Sequence, residues 1–582
     1  MQINNRHSNW LSQKLDILRL HLSRPDALIQ LAFLGLLTGL ITGGIIVLFR
    51  VMVEEIQTGL LQNNAENFES LSLEARFLFP VAGSLLIALF FRYFANGIHV
   101  LGVARVMERM AYHQGYLTLR GFFLQFFGAA IAIISGHSVG REGPNVFLGA
   151  ASSSLMGQYL GLPNNSIRTL VGCGTAAGIA ASFDTPLAGV IFALEVIMME
   201  YTLASFMPVI LAAGSATSIS ILVFGNEAAF LIPDLKQGSL TEMPLVIILG
   251  LLAGTLSALF IHLLQSVAHK ARKLQFSSKV MLSGVIVGLI AVIAPGVMGI
   301  GYDSVSQTLA GDMVLNALLV LLIFKLLATV ASVGLGIPGG LIGPALFLGA
   351  CLGGVFGILV GVVFPDLQVD MGFYSLLGMG AVMGASLQAP LAALTAMMEL
   401  THSPQIIMPG MIAIVIANLT ASEFFRKKSV FVSVLEAGDV NIHANPVTQT
   451  LRRIGVGSVM NKEVVQADAL IKTAKIDTLL LKNPKWILVI DNDSSFNRLM
   501  PASDLVRFLE QHEEESIDLL EIPAKRIEVA PIHLQATLEE ALNELDRYNL
   551  DALYVERLIA PGINHIYGIL TRTQIESAYQ FK

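Results

Sequence analysis

Apolar runs separated by short polar breaks fill the chain from about Ala27 to Phe424, and the pattern changes abruptly at Arg426-Lys427-Lys428. The first run, Ala27 to Val51, is long enough to cross a bilayer as a helix, and the polar residues ahead of it lack the shape of a cleaved leader. Beyond Phe424 the composition is that of an ordinary soluble domain. The pattern therefore predicts a polar N-terminal segment over 1–26, an all-α polytopic membrane region over 27–436, a linker over 437–454 and an α/β unit over 455–582. In that last unit it predicts helices near 467–480 and 536–548, with strands at Trp486–Ile490 and Ala552–Val555.

One stretch breaks the apolar region. Gly140-Arg141-Glu142-Gly143-Pro144 puts a guanidinium and a carboxylate where a charge is costly, which marks a functional site by default. The motif's tail, Gly-Pro-x-x-Phe-Leu-Gly-Ala at 143–150, recurs at 343–350. Pro186-Leu187-Ala188 stands nine residues before Glu195, and Pro390-Leu391-Ala392 stands nine before Glu399. Each follows a glycine-rich run, Gly172-Cys173-Gly174 and Gly378-Met379-Gly380. Two matches at nearly constant offset point to an internal repeat.

Loop charge gives the repeat a direction. Arg6, Lys14, Arg19 and Arg24 place the N-terminal segment in the cytoplasm by the positive-inside rule. Residues 52–75 carry Glu54, Glu55, Glu66, Glu69 and Glu74 without Lys or Arg, and 225–244 carry Glu227, Asp234 and Glu242 against Lys236; both read as external. Lys270, Arg272, Lys273 and Lys279 read as cytoplasmic. The run at 27–51 then threads outward and that at 245–266 inward, so the repeat is inverted. Over the 582 residues, 54% are hydrophobic and the formal net charge is −7, which argues against nucleic acid as a partner. The two cysteines, Cys173 and Cys351, lie in Gly/Ala-rich sequence and read as packing residues. No nucleophile or metal motif suggests an enzyme.

Inverted repeats let equivalent segments enter from opposite faces and meet near the midplane. Both repeated motifs put Gly and Pro just ahead of an apolar run. Proline suits a first helical turn, where its missing N–H is not needed, and glycine lets backbone approach a ligand. Two helix N-termini aimed at one point would hold an anion on N–H groups and dipole ends, without a full charge to trap it.

These residues resemble the CLC family of chloride channels and chloride/proton exchangers over about 30–436. Gly140-Arg141-Glu142-Gly143-Pro144 stands as its signature; Gly340-Leu341-Ile342-Gly343-Pro344 looks like the second, and Phe183-Asp184-Thr185-Pro186-Leu187-Ala188-Gly189 like a third. The resemblance implies a homodimer with one pore per subunit, chloride as ligand, no required cofactor, and the lipid bilayer of the cell's inner (plasma) membrane as setting, with both termini cytoplasmic. By motif, Glu142 would be the gate, a carboxylate that occupies an anion site and swings away. Arg141 and Gly143 would flank the ion, Arg141 chiefly by its amide.

The departures carry information. The family's chloride-coordinating serine falls on Leu101, next to Gly102, and its coordinating tyrosine falls on Phe431. Neither has a hydroxyl, so the central site would rest on amides such as those of Leu341 and Ile342. The internal proton-transfer glutamate of exchangers falls on Val196, which resembles channels. Passive chloride conduction is therefore the first expectation, with chloride/proton exchange the alternative and fluoride or other anion export a further rival. Glu195 reads as structural, Asp184, Lys325 and Glu399 as internal partners or caps, and His137 as a packing histidine.

The tail's two units of similar order look like a tandem CBS pair. Such pairs often bind an adenine nucleotide; here Asp504 lacks the Ser/Thr of the family's pattern ahead of it, and Thr571 has Gln574 where an Asp would stand. A dimerising module is the competing reading, and Glu513-Glu514-Glu515 reads as a solvated connector.

Overall fold

The structure, a computed structural model, describes residues 19–24, 27–61, 66–225, 242–367, 370–401, 406–438, 440, 446–490, 496–512, 515–560 and 563–580. Arg6, Lys14, Glu227, Asp234, Lys236, Glu513 and Glu514, used above to assign sides or a connector, lie outside the described residues. The chain divides into two compact units. One comprises residues 29–158 and 167–442; the other comprises 1–28, 159–166 and 443–582.

The larger unit is helical. Among the described residues, eight helices are long and apolar enough to cross a membrane, from Leu28–Leu60 to the run ending at Phe424. Polar residues set several starts: Ser72, Thr118, Asp370 and Ser429 each accept a hydrogen bond from the amide three residues on. The first helix runs on to Leu60, past the end expected at Val51, so Glu54 and Glu55 belong to it. The Arg50–Glu54 ion pair at 2.7 Å, one helical turn apart, compensates both charges and lets the helix continue.

The repeat is visible helix by helix. Leu119–Ile134 corresponds to Leu315–Gly334, Glu142–Tyr159 to Ile342–Val363, Asn164–Phe183 to Met371–Leu387, and Pro186–Phe192 to Pro390–Thr401. The glycines of the recurrent motif explain its recurrence. A Cβ on Gly149 would lie 2.1 Å from the carbonyl oxygen of Gly174, and one on Gly349 would lie 2.3 Å from that of Gly378. Each half-helix thus crosses the next helix backbone on backbone, which only a small residue permits. Both cysteines are buried in this core as free thiols.

In the second unit, strands β1 (Val464–Asp468), β3 (Trp486–Ile490), β4 (Asn497–Pro501), β6 (Ile527–His533), β7 (Ala552–Ala560) and β8 (Ile563–Thr571) form one sheet in that order, and β2 (Leu470–Lys472) pairs with β5 (Ser516–Asp518). β1 and β3 are parallel with β4 antiparallel to β3; β6 and β7 are parallel with β8 antiparallel to β7. Two units of like order therefore share a sheet, joined by the antiparallel β4–β6 pair. The helix expected at 467–480 starts only at Thr473, because Val465, Ala467 and Ile471 alternate inward as strand residues. The second helix is Leu538–Tyr548, closed by a capping box of Thr537 and Glu540. A further helix, Pro446–Arg453, lies within the expected linker, and Arg452 pairs with Glu539 at 2.6 Å.

Candidate functional site

Two helix tips meet in the buried interior of the larger unit. Gly140 and Gly340 form an antiparallel bridge, each amide donating to the other's carbonyl at 2.9 and 2.8 Å. The helices that follow begin at Glu142 and Ile342, each with its proline in the first turn. The approach is too close for side chains. A Cβ on Gly143 would lie 2.7 Å from Gly340 Cα, and one on Gly340 would lie 2.7 Å from the Gly143 nitrogen. This is the head-to-head geometry that the inverted motifs predict.

Glu142 is fully buried in this junction. Its Oε2 accepts a hydrogen bond from the Gly343 amide at 3.1 Å, and its Oε1 accepts one from the Tyr302 hydroxyl. A carboxylate of one half-repeat is thus seated on an amide at the helix start of the other, where the positive dipole end favours an anion. An inorganic anion seated there would accept from the same Gly343 amide. Beyond Tyr302 lies a cavity of about 200 Å³, whose lining includes Arg50, Glu54, Glu66, Arg141, Asp184 and Asp303. Arg141 turns towards it, 3.5 Å from Glu54 Oε1 and 3.4 Å from the Ser182 carbonyl, with its guanidinium 5.2 Å from the Tyr302 ring centre. Its side chain is held by cavity residues rather than by the helix tips.

Leu341 caps the second tip and Ile342 opens its helix, both buried; the amide that meets the carboxylate is the next one, that of Gly343. Leu101 caps the helix Gly102–Tyr112 and packs on the apolar core. Phe431 is buried with its ring 6.4 Å from that of Phe192. Gly102, beside Leu101 in the family's anion-site segment, has its amide donating to Gln125 Oε1 at 2.8 Å. Its φ of +71° explains the glycine, since that left-handed backbone is costly for other residues. The Gln125 side chain is fully buried, and its Nε2 has no partner among the described residues.

Val196 sits buried in a π-helical turn, Ala193–Met198, that follows Pro186–Phe192. Its neighbour Glu195, read from the sequence only as structural, caps a helix. Glu195 accepts the amides of Leu391 and Ala392 at 3.2 and 2.8 Å, while Glu399 accepts those of Leu187 and Ala188, both at 2.8 Å. Each repeat therefore caps the other's half-helix with the same carboxylate, and the pair of Pro-Leu-Ala…Glu matches is explained. His137 is buried against Ser84, its Nε2 3.1 Å from the hydroxyl. Lys325 is also buried, its ammonium held by the carbonyls of Val297, Gly299 and Ile300 at 3.0 to 3.1 Å. In the sheet-containing unit, Asp504 Oδ2 accepts the Lys525 amide at 3.2 Å. The amide and hydroxyl of Thr571 both reach Gln574 Oε1, at 2.8 and 3.1 Å.

Sequence reasoning missed Tyr302, Gly343 and Gln125. The repeat itself could have pointed to Gly343, the counterpart of Gly143. Nothing local marks Tyr302, which reaches Glu142 only through the fold.

Known proteins resemble this chain in sequence and in fold. Residues 83–422 match the family described as voltage gated chloride channel. A putative chloride channel protein ClcB-like from Ralstonia nicotianae is 32% identical over 382 residues, covering 64% of this chain and 89% of that protein. The H+/Cl− exchange transporter ClcA of Vibrio cholerae is 28% identical over 424 residues, covering 70% and 90%. Among solved structures, a slow cyanobacterial Cl−/H+ antiporter superposes with a TM-score of 0.64 at 22% identity, over 70% of this chain and 97% of that one. A eukaryotic CLC transporter gives 0.58 at 19% identity, over 96% and 98%. The membrane-spanning fold, the paired half-helices and the family match together make this chain a member of the voltage-gated chloride channel (CLC) family, whose business is anion transport and not enzymatic catalysis.

Proposed function

We propose that the protein carries chloride across the membrane in exchange for protons, with Glu142 as the moving gate. The observation that carries the reading is the buried Glu142 carboxylate, seated between the Gly343 amide and the Tyr302 hydroxyl where two helix starts meet. A carboxylate there competes with an anion when ionised and gives up the seat when protonated, so one residue serves both ions. Proton coupling draws support from relatives named as H+/Cl− exchangers, and this moves the preference away from the passive channel expected first. The second reading, passive conduction, rests on Val196, which cannot carry a proton inward from Glu142.

Purified protein in liposomes under a chloride gradient, with voltage and internal pH recorded together, separates the two. Exchange predicts proton movement against its gradient, driven by chloride. A reversal potential at the chloride Nernst value with no proton movement would instead establish the channel.

The reading extends to a homodimer in the cell's inner membrane with cytoplasmic termini. The sheet-containing unit, with its two halves of like order, would be a tandem CBS pair. Asp504 and Thr571 are hydrogen-bonded within that unit, which favours a dimerising role over an adenine-nucleotide site.

A further inference from the structure

We infer that Tyr302 is the latch of the gate, a positioning residue whose hydroxyl holds the Glu142 carboxylate in the anion seat; this rests on the gating role proposed for Glu142. Tyr302 is delivered from outside both helix tips, as the first residue of the helix Tyr302–Ala310. Its position is heavily determined. The loop ahead of it is gathered by Lys325, whose ammonium bonds three of the loop's carbonyls and lies 4.6 Å from the Phe347 ring centre. Gly301, at φ +84°, makes the final turn, and a Cβ there would lie 2.8 Å from the Phe347 ring. The Tyr302 ring then lies between Phe183, 6.2 Å between centres, and the Arg141 guanidinium.

The hydroxyl has a specific electrostatic task. Of the two hydrogen bonds that Glu142 accepts from described residues, the Gly343 amide would serve a seated chloride equally well. Tyr302 belongs to neither tip, and it separates the buried carboxylate from the 200 Å³ cavity that it helps to line. A hydrogen bond to an ionised carboxylate favours the seated gate over the released one. Tyr302 thereby sets how much chloride is needed to displace Glu142, without itself being required for the anion's passage.

Tyr302→Phe keeps the ring and removes only the donor. Chloride flux into liposomes, measured over a range of chloride concentrations, should show the half-saturating concentration falling by about tenfold, the order expected for one hydrogen bond to a charged group. The maximum flux should move much less. In a Glu142→Ala background the same substitution should change neither parameter. An unchanged half-saturating concentration in the single variant would overturn the latch. An equal change in both backgrounds would assign Tyr302 to the path itself and also overturn it. If Glu142→Ala alone left the chloride dependence of flux untouched, the gating role would fail first, which keeps the two failures distinguishable.

Discussion

Glu142→Gln should raise chloride flux by about an order of magnitude or more and abolish its dependence on pH, with proton movement lost. The wild-type carboxylate is fully buried and keeps its place through the Gly343 amide and the Tyr302 hydroxyl. Each hydrogen bond to a charged group is worth about 1.5–3 kcal/mol, and about 1.4 kcal/mol changes an equilibrium tenfold. Glutamine has nearly the same shape but no charge. It competes poorly with chloride for the positive end of a helix and carries no proton. Radiolabelled chloride uptake at several pH values, with a pH electrode in the same chamber, reads both consequences. Unchanged flux with unchanged pH dependence would remove Glu142 from the mechanism.

The second large effect concerns the fold that brings the tips together. Gly349→Ala should lower the thermal midpoint of the purified protein sharply, and Gly149→Ala should do the same through the other half of the repeat. In each case the new Cβ would fall 2.1 to 2.3 Å from a backbone carbonyl oxygen on the crossing helix, where no side chain can turn aside. Forcing an extra group into a packed core costs about 1–3 kcal/mol, and backbone-to-backbone crossings have little room to relax. Gly44→Ala is the control, because nothing lies within 4 Å of a Cβ there. Melting curves of the three variants in one detergent test the claim. If Gly349→Ala melts with Gly44→Ala, the repeated glycines are not crossing points.

How much of this was legible in the sequence depends on range. The repeat, the paired tips and the caps were readable because each is written twice: Gly-Pro at 143 and 343, and Pro-Leu-Ala with its glutamate at 186–195 and 390–399. A helix start also shows locally, through its proline or its capping hydroxyl. Contacts that join unrelated segments were not readable. Tyr302 reaches Glu142 across 160 positions with no motif of its own, and Lys325 closes on carbonyls that any residue would supply. Nothing near Gly102 in the sequence shows that the fold brings Gln125 against its amide. In the C-terminal unit the helix expected at 467–480 is shorter, because two short strands precede Thr473 and their alternation spans too few residues to stand out. The first span is longer than its apolar run, since an ion pair along one helix face looks like a polar loop when only composition is read.

The claim on which the rest depends is that the Glu142 carboxylate occupies the place of the transported anion. A crystal of Glu142→Ala grown in bromide, measured at the bromine absorption edge, addresses it directly. The account predicts an anomalous peak at the vacated carboxylate position, within hydrogen-bonding distance of the Gly343 amide and beside the Gly140–Gly340 bridge. Strong bromide peaks elsewhere in the protein, with none at that junction, would contradict it.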